Sequence, residues 1–188
     1  MSYKYSIISF IIVAVLGVTT SMTYFFYRPQ NNIPTPTVAL ADAMMENVSA
    51  IIMDKQGKPS LKIVSPKMIH FAFHDTTQLI EPELTLYRKS PKPWYIKAKY
   101  AKATEGIDSI NFSENVTLHH AADENNPVTF IKTSTLTVQP NKQIALTNDL
   151  ITLIQPNLTV KATGMYADMN TGDIKLISAA RGEYVPNS

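Results

Sequence analysis

The sequence predicts an all-β domain that follows one N-terminal transmembrane helix. Three observations support this fold class. A long apolar segment without charge lies near the N-terminus, apolar and polar residues alternate from about residue 48 onward, and the alternating segments repeat along the chain. A chain of 188 residues is long enough for one domain of ordinary size and a short appendage.

Composition excludes several classes of function. The chain has no Cys, so it cannot contain a disulfide scaffold, a Cys-ligated metal site or a thiol nucleophile. Its net charge of +2 produces no strong field, and we therefore expect no nucleic-acid partner. Hydrophobic residues make up 45% of the chain, which is too many for a disordered protein.

The predicted anchor occupies residues 1–28. Tyr5 to Tyr27 are 23 residues without a charge, and a helix of that length spans roughly 34 Å, enough for a hydrocarbon core of about 30 Å. A cleaved signal peptide is the alternative, with Ile7 to Val18 as its apolar region. No A-x-A cleavage pattern follows, and an aromatic run prolongs the apolar segment, so an uncleaved helix is favoured. Charge gives little indication of how the helix is oriented in the membrane, because one basic residue flanks each end, Lys4 before it and Arg28 after it.

We predict an extended spacer at residues 29–46 and the β domain at residues 47–188. Three prolines and no glycine fall between residues 28 and 41, which makes the spacer partly stiff.

Within the β domain, four segments share one pattern: an aliphatic residue, Lys, then a small or aliphatic residue. They occupy residues 61–68, 96–103, 131–138 and 160–167. In the last three copies a second apolar pair follows 13 or 14 residues after the copy begins: Ile110/Phe112, Ile144/Leu146 and Ile174/Leu176. Each unit therefore predicts a long strand, a turn and a return strand, although chance repetition of β alternation is the alternative. Stacked units form two facing sheets, either a closed barrel or an open sandwich with exposed edges.

Catalytic and metal-binding motifs are absent from the sequence, so we expect no enzyme and no cofactor. His70 and His74 have a helical metal spacing but lie in a predicted strand. His119 and His120 are adjacent, so one should point inward and one outward. A structural or surface role is expected for all four histidines. Residues 168–173 resemble the start of a calcium loop, but a hairpin turn explains them better, because Ala179 stands where the bidentate Glu belongs.

One cluster of positive charge runs from Arg88 to Lys102, with no acidic residue between Leu84 and Thr104. It is interpreted either as a solvated strand face or as a contact with phosphates at a lipid headgroup or an anionic membrane surface.

The arrangement of anchor, spacer and repeating β domain resembles the LptC family of lipopolysaccharide export proteins. The residues that carry the resemblance are Gly57 with Leu61-Lys62-Ile63, Pro82, Trp94 to Ala98 with Ala101, Val116 with Leu118, Asp149 to Leu153, and Arg181 to Tyr184. The chain departs from the family at Gln155, where a Gly is usual, so the turn toward the C-terminal edge is expected to differ.

The resemblance implies an open twisted β-jellyroll, with V-shaped facing antiparallel sheets, in the periplasm. It also implies a single-pass protein of the inner membrane. Such a protein receives lipopolysaccharide from the ABC transporter LptB/LptF/LptG and passes it to the bridge protein LptA. The transporter hydrolyses the ATP, so the domain itself needs no catalytic residue.

Lipid carriage requires an apolar groove. The candidate lining residues are Val48, Leu79, Trp94, Ile96, Ile174 and Tyr184. They could equally form a closed core. The partner-binding edges are expected at Val48 to Met53, and at Ile174, Leu176 and Tyr184. The resemblance implies that the first edge meets the transporter and the second meets LptA. Two alternatives remain: a membrane-anchored adaptor that binds only proteins, and a less favoured envelope enzyme.

Overall fold

The computed structural model describes residues 40–72, 74–87, 92–124 and 126–185. The predicted anchor and most of the predicted spacer lie outside these residues. Within the described ranges, no helix is long and apolar enough to cross a membrane.

The described residues form eleven strands and one 3-10 turn. The strands are β1 (Ala43–Met53), β2 (Pro59–Phe71), β3 (Thr76–Ile80), β4 (Glu83–Leu86), β5 (Trp94–Lys97), β6 (Tyr100–Thr104), β7 (Ser109–His120), β8 (Thr129–Gln139), β9 (Ile144–Gln155), β10 (Leu158–Asp168) and β11 (Ile174–Tyr184). The 3-10 turn is Pro140–Lys142. Every strand pair is antiparallel, which confirms the predicted all-β class.

The strands belong to one hydrogen-bonded network that divides between β2 and β7. One edge of β2 pairs with β4 through residues 61–64 and with β3 through residues 67–71. In the same way, β7 pairs with β5 through residues 117–120 and with β6 through residues 109–113. Two arms therefore connect β2 to β7, and we call them the β5 layer and the β6 layer. Each of the strands β8 to β11 also contributes one half to each layer, and the pairing of that half with its neighbour shows which layer it belongs to.

A line of local backbone breaks marks where the long strands pass from one layer to the other. We call this line the seam. Positive φ angles occur there at Asn47 in β1, Glu81 between β3 and β4, Glu114 and Asn115 in β7, Gly164 in β10 and Ala179 in β11. Ladder register also shifts at the seam in the pairs from β7 to β11. Such bulges bend a strand and add twist, so the sequence builds the bend into each strand.

Both layers contribute to one hydrophobic core. Leu86, Trp94 and Ile96 enter it from the β5 layer, and Leu79 and Ala103 enter it from the β6 layer. Because their inward side chains belong to the same cluster, the two layers face each other. The core therefore fills the space between the layers.

The repeat predicted from the sequence corresponds to the strand plan. Its copies lie in β2, in β5 with β6, in β8 and in β10, and the return pairs lie in β7, β9 and β11. The second copy is divided between two strands, because Ala98 and Lys99 lie outside any strand and separate β5 from β6. β1 starts at Ala43, so its first four residues lie within the range predicted as spacer. The break at Asn47 (φ 52°) interrupts the alternation and conceals the first half of the strand.

Candidate functional site

The residues predicted to line a groove occupy three kinds of position. Leu79, Trp94 and Ile96 are buried within the core, with at most 3% of their surface exposed. Val48 and Ile174 are half-buried on the two terminal strands. Tyr184 is 66% exposed at the end of β11. The structure thus joins the first three in one core and leaves Tyr184 outside it.

Trp94 links the two layers. Its indole N–H donates a hydrogen bond to the carbonyl oxygen of Met169, 3.1 Å away at the end of β10. Trp94 lies at the outer end of the β5 layer, whereas Met169 lies at the outer end of the β6 layer. The Trp94 ring also packs 4.9 Å from the ring of His120, which is buried. Trp94 therefore acts as a packed strut between the layers.

Two further contacts join the outer ends of the layers, and we call these ends the rim. The Asn126 amide donates to the Thr171 carbonyl oxygen at 3.4 Å, between the β7–β8 and β10–β11 turns. The Gln143 amide lies 3.5 Å from the Tyr87 carbonyl oxygen. These partners are 45 and 56 residues apart in sequence, so no local pattern could have identified them.

The apolar interior reaches both terminal strands. Ile52 of β1 packs partly buried against the core, and so do Ile174 and Leu176 of β11. A separate groove of about 220 Å³ lies on the outer face of the β6 layer, with Ile69, Ile80 and Tyr100 in its lining. It is therefore not part of this interior.

The two terminal strands are free sheet edges. Among the described strands, β1 pairs with β2 alone and β11 pairs with β10 alone. Val48 and Met53 lie on the first edge, and Leu176 and Tyr184 on the second. Free edges present unpaired N–H and C=O groups that can accept a strand from another chain.

The hydrogen-bond alternation of an antiparallel ladder fixes the direction of the Leu176 amide. The Asp168 N–H donates to the Asp173 carbonyl oxygen at 2.9 Å, so this pair is hydrogen-bonded. Bonded and non-bonded pairs alternate, which makes Tyr166–Lys175 bonded and Met165–Leu176 non-bonded. The Leu176 N–H therefore points away from β10, toward the free edge.

Polar contacts support the seam. The Lys99 N–H donates to the Glu114 carbonyl oxygen at 2.9 Å, and the Lys99 ammonium binds the Glu114 carboxylate at 2.8 Å. This carboxylate raises the pKa of Lys99. The Asp149 carboxylate accepts hydrogen bonds from the Thr135 and Ser134 hydroxyls, which lower the pKa of Asp149. Charged side chains therefore make hydrogen bonds close to the backbone breaks of the seam.

His70 joins the start of β1 to the β2–β3 turn. Its Nδ1 lies 2.7 Å from an Asp42 carboxylate oxygen, and its Nε2 lies 3.0 Å from an Asp75 carboxylate oxygen. The bond from Asp75, then that from Asp42, raises the pKa of His70, and the bond from His70 lowers the pKa of Asp75. His70 therefore has the structural role expected from the sequence.

The other candidate sites of chemistry also have structural explanations. No group of three or more metal-ligating side chains occurs within the described residues. Residues 168–173 form the expected hairpin turn, in which the Asp168 carboxylate accepts the N–H groups of Asn170 and Thr171. His120 points inward and is buried, whereas His119 stacks against Phe130 on the outer face at 4.3 Å.

The basic cluster predicted from the sequence is divided by the fold. Lys97 lies on the outer face of the β5 layer and pairs with Glu83, Lys99 lies at the seam, and Lys102 lies on the β6 layer. Arg88 and Lys89 lie outside the described residues. Lys97, Lys99 and Lys102 are therefore close in sequence but do not share one surface of the domain.

Comparison with known proteins adds a family and a fold. A family model described as "Lipopolysaccharide-assembly, LptC-related" matches residues 9–185. The structure is similar to a crystal structure of LptH, the LptA-homologous periplasmic component of the lipopolysaccharide transport device of Pseudomonas aeruginosa, with a TM-score of 0.54. The match covers 67% of this chain and 95% of LptH at 8% sequence identity, so it shows the likeness of fold alone. Among curated proteins, no relative matches the chain.

Proposed function

The chain belongs to the LptC family of lipopolysaccharide-assembly proteins, and from this premise we propose that it is a passive carrier of lipopolysaccharide. Family membership supports a role in the lipopolysaccharide transport system. The carrier takes lipopolysaccharide from the LptB/LptF/LptG transporter, holds the acyl chains between its two layers, and passes them to LptA. The inner-membrane anchor in residues 1–28, the periplasmic placement and an open, V-shaped jellyroll all belong to this proposal.

One observation carries the proposal: the apolar interior extends from one free sheet edge to the other. Ile52 lies at the β1 end, Leu79 and Ile96 lie in the middle, and Leu176 lies at the β11 end. An interior that reaches both edges can continue into the interior of a neighbour that adds its own strand. This supports a path for acyl chains through successive proteins, with β1 toward the transporter and β11 toward LptA.

Lipid carriage requires the rim to open. Acyl chains can enter the filled core only when the two layers separate, which breaks the Trp94–Met169 hydrogen bond and the weaker rim contacts. The seam on the other side is held by backbone hydrogen bonds such as Glu81 N–H to the Lys99 carbonyl oxygen at 2.8 Å. We therefore infer that the layers hinge at the seam and part at the rim. No catalytic group takes part in this process.

Photo-crosslinking in cells tests the carrier function. Crosslinkers at Val48, Leu79, Ile96 and Ile174 should label lipopolysaccharide, because these side chains face the proposed path. Crosslinkers at Lys102 and Lys99 are matched controls on the outer face of the β6 layer and at the seam, and should give little labelling. Labelling confined to the Lys102 and Lys99 positions would eliminate the carrier function.

A protein-only adaptor is the second candidate, and the filled core favours it. Trp94, Ile96, Leu118 and Ile131 are almost completely buried, and an adaptor needs no space between its layers. Titration of the purified chain with lipopolysaccharide separates the two candidates. Saturable binding at one lipid per chain supports the carrier, whereas no binding, together with normal surface lipopolysaccharide after depletion of the protein, supports the adaptor.

A further inference from the structure

Strand pairing aligns positive charges from distant parts of the sequence on the outer face of the β5 layer. Lys97 is opposite Thr117, which is opposite Lys132. The same row continues through Thr152 and Lys161 to Arg181. Residues directly opposite each other in a ladder lie on the same face of a sheet. We call the part formed by Lys132, Lys161 and Arg181 the basic row.

The basic row faces one side of the domain. Lys132 and Lys161 are two strands apart, which places their backbones about 10 Å from each other. Sheet twist of roughly 20–25° per strand turns the face by only about 60–75° between β8 and β11. The neighbours of these residues along each strand, such as Ile131 and Ala162, are buried on the opposite face. The three cations are therefore directed outward together.

These cations form no ion pair among the described residues. Lys97, in contrast, binds Glu83, and Lys99 binds Glu114. Two carboxylates lie near the row: Glu183, opposite Thr159, and Asp149, which binds the hydroxyl of Ser134 two positions from Lys132. The basic row thus retains a positive charge that internal partners do not neutralise.

Exposed apolar side chains flank the basic row on both sides. Phe130 is 44% exposed and lies two positions from Lys132 along β8. Leu150 is 72% exposed and lies two positions from Thr152 along β9, opposite Thr163. Unpaired cations beside an exposed aromatic and an exposed aliphatic residue match the interfacial zone of a bilayer, where headgroup charge meets hydrocarbon.

The β6 layer provides an internal contrast. Its corresponding row contains Gln78, Lys102, Asn111, Thr137, Leu146, Tyr166 and Lys175. Its two cations are five strands apart, and neutral residues separate them. The turns at the outer end of this layer carry the carboxylates Asp42, Asp75, Glu105, Asp108, Asp168 and Asp173. The outer end of the β5 layer also carries carboxylates, at Asp54, Asp123 and Glu124, so the two layers differ in how closely the cations are spaced on their outer faces.

We propose that the outer face of the β5 layer docks on an anionic lipid bilayer through Lys132, Lys161 and Arg181, with Phe130 and Leu150 entering the headgroup zone. The charge complementarity is with lipid phosphates. The two flanking apolar side chains favour a bilayer over an acidic protein surface, since Leu150 is 72% exposed and Phe130 remains 44% exposed although it stacks on His119. The proposal does not rest on lipid carriage, because docking uses the outer face of the sheet and carriage uses its interior.

A single fluorophore on the full chain tests the docking. The protein has no native Cys, so Thr163→Cys, on the docking face opposite Leu150, carries an environment-sensitive dye. The expected response appears with phosphatidylglycerol-containing vesicles, is absent with phosphatidylcholine vesicles, and declines with added salt because ions screen the contact. At about 1 kcal/mol per cation near such a surface, Lys132→Gln with Lys161→Gln should lower the ratio of docked to undocked domain about thirty-fold.

The matched control is the pair Lys102→Gln with Lys175→Gln, which removes the same charge from the β6 layer and should leave docking unchanged. Equal losses from the two pairs would show a response to net charge alone and overturn the proposal. A dye response that does not require anionic lipid, or one that appears only after a protein partner is added, would overturn it as well. Docking without crosslinking at Leu79 or Ile96 would reject the carrier function and leave this inference standing.

Discussion

At the scale of single residues, Trp94 connects burial with the movement proposed for the domain. Its side chain is 1% exposed and donates to the Met169 carbonyl oxygen across the interior. The same contact stabilises the closed arrangement and must break before lipid can enter. The strength of this strut therefore sets how readily the layers part.

Trp94→Phe should lower the free energy of unfolding by about 2 kcal/mol, because it removes one hydrogen bond and part of a buried ring. Chemical denaturation measures this change. Tyr95→Phe is the matched control, since Tyr95 is the next residue and is 41% exposed; it should change stability by less than about 0.5 kcal/mol. Equal effects of the two substitutions would contradict the role given to Trp94.

His70 makes the attachment of β1 sensitive to pH. The bonds from Asp75 and Asp42 raise its folded-state pKa above the ordinary 6.5. Its stabilising contribution is therefore fully present below pH 6.5 and is lost as the pH rises through the folded-state pKa. NMR titration should give a pKa above 6.5 for His70, and Asp75→Asn or Asp42→Asn should reduce it.

Glu46→Gln is the control. It removes a carboxylate from β1 and should leave the titration of His70 unchanged. Hydrogen exchange at the start of β1 should accelerate over the same pH range as His70 loses its proton. A titration midpoint at or below 6.5 would contradict this assignment.

At the scale of elements, the bend in each long strand depends on a few backbone positions. Gly164 in β10 has φ +76°, and a Cβ there would lie 2.9 Å from Cδ1 of Ile177. A left-handed conformation is costly for other residues. Gly164→Ala should therefore lower the free energy of unfolding by about 1–3 kcal/mol.

Gly182→Ala is the matched control in β11, since its Cβ would lie at an ordinary 3.6 Å from Val160, and it should be close to neutral. Addition of Ile177→Ala to the Gly164 variant should restore only the part of the loss due to crowding, because the backbone strain persists. Full recovery in denaturation experiments would show that crowding, and not the bend, accounts for the effect.

The β11 edge permits a direct test of partner docking. Leu176→Pro removes an N–H that points toward the free edge, so the chain should fold but fail to co-purify with LptA. Leu176→Ala keeps this N–H and serves as the control, and its binding should persist. Near-ultraviolet circular dichroism verifies the folded state of both variants. Retained LptA binding by the Pro variant would refute docking at this edge.

At the scale of the whole molecule, the proposed division of labour places attachment in the N-terminal segment and transfer in the β domain. If edge pairing supplies the docking, replacement of residues 5–27 by an unrelated spanning helix should leave export intact. Surface lipopolysaccharide in cells that depend on the chimaera measures this outcome. A chain from which residues 5–27 are deleted is the control for attachment.

Loss of export by a chimaera that is stably inserted would show that the native segment makes specific contacts with the transporter. Docking of the basic row would supplement the anchor, because it would fix the face that the domain turns to the bilayer.

The class of the fold and the order of its long strands can be predicted from the amino-acid sequence alone. Period-two alternation follows from the geometry of a strand, in which successive side chains point to opposite faces, and it survives in any β architecture. The repeat located β8, β10 and their return strands for the same reason. The absence of Cys settled the lack of thiol chemistry without any structure. The residues typical of LptC proteins indicated the family, which the family match confirms.

Which residues share a surface, in contrast, depends on how the strands pair in the folded domain. Trp94 meets Met169 across 75 positions of sequence, and Lys132 shares a row with Lys161 and Arg181 because three ladders have a particular register. Register depends on bulges and turns summed along the chain, so a shift of one residue would turn these side chains to the other face. Local patterns specify strands one at a time, whereas the basic row, the rim and the divided basic cluster arise from how the strands pair.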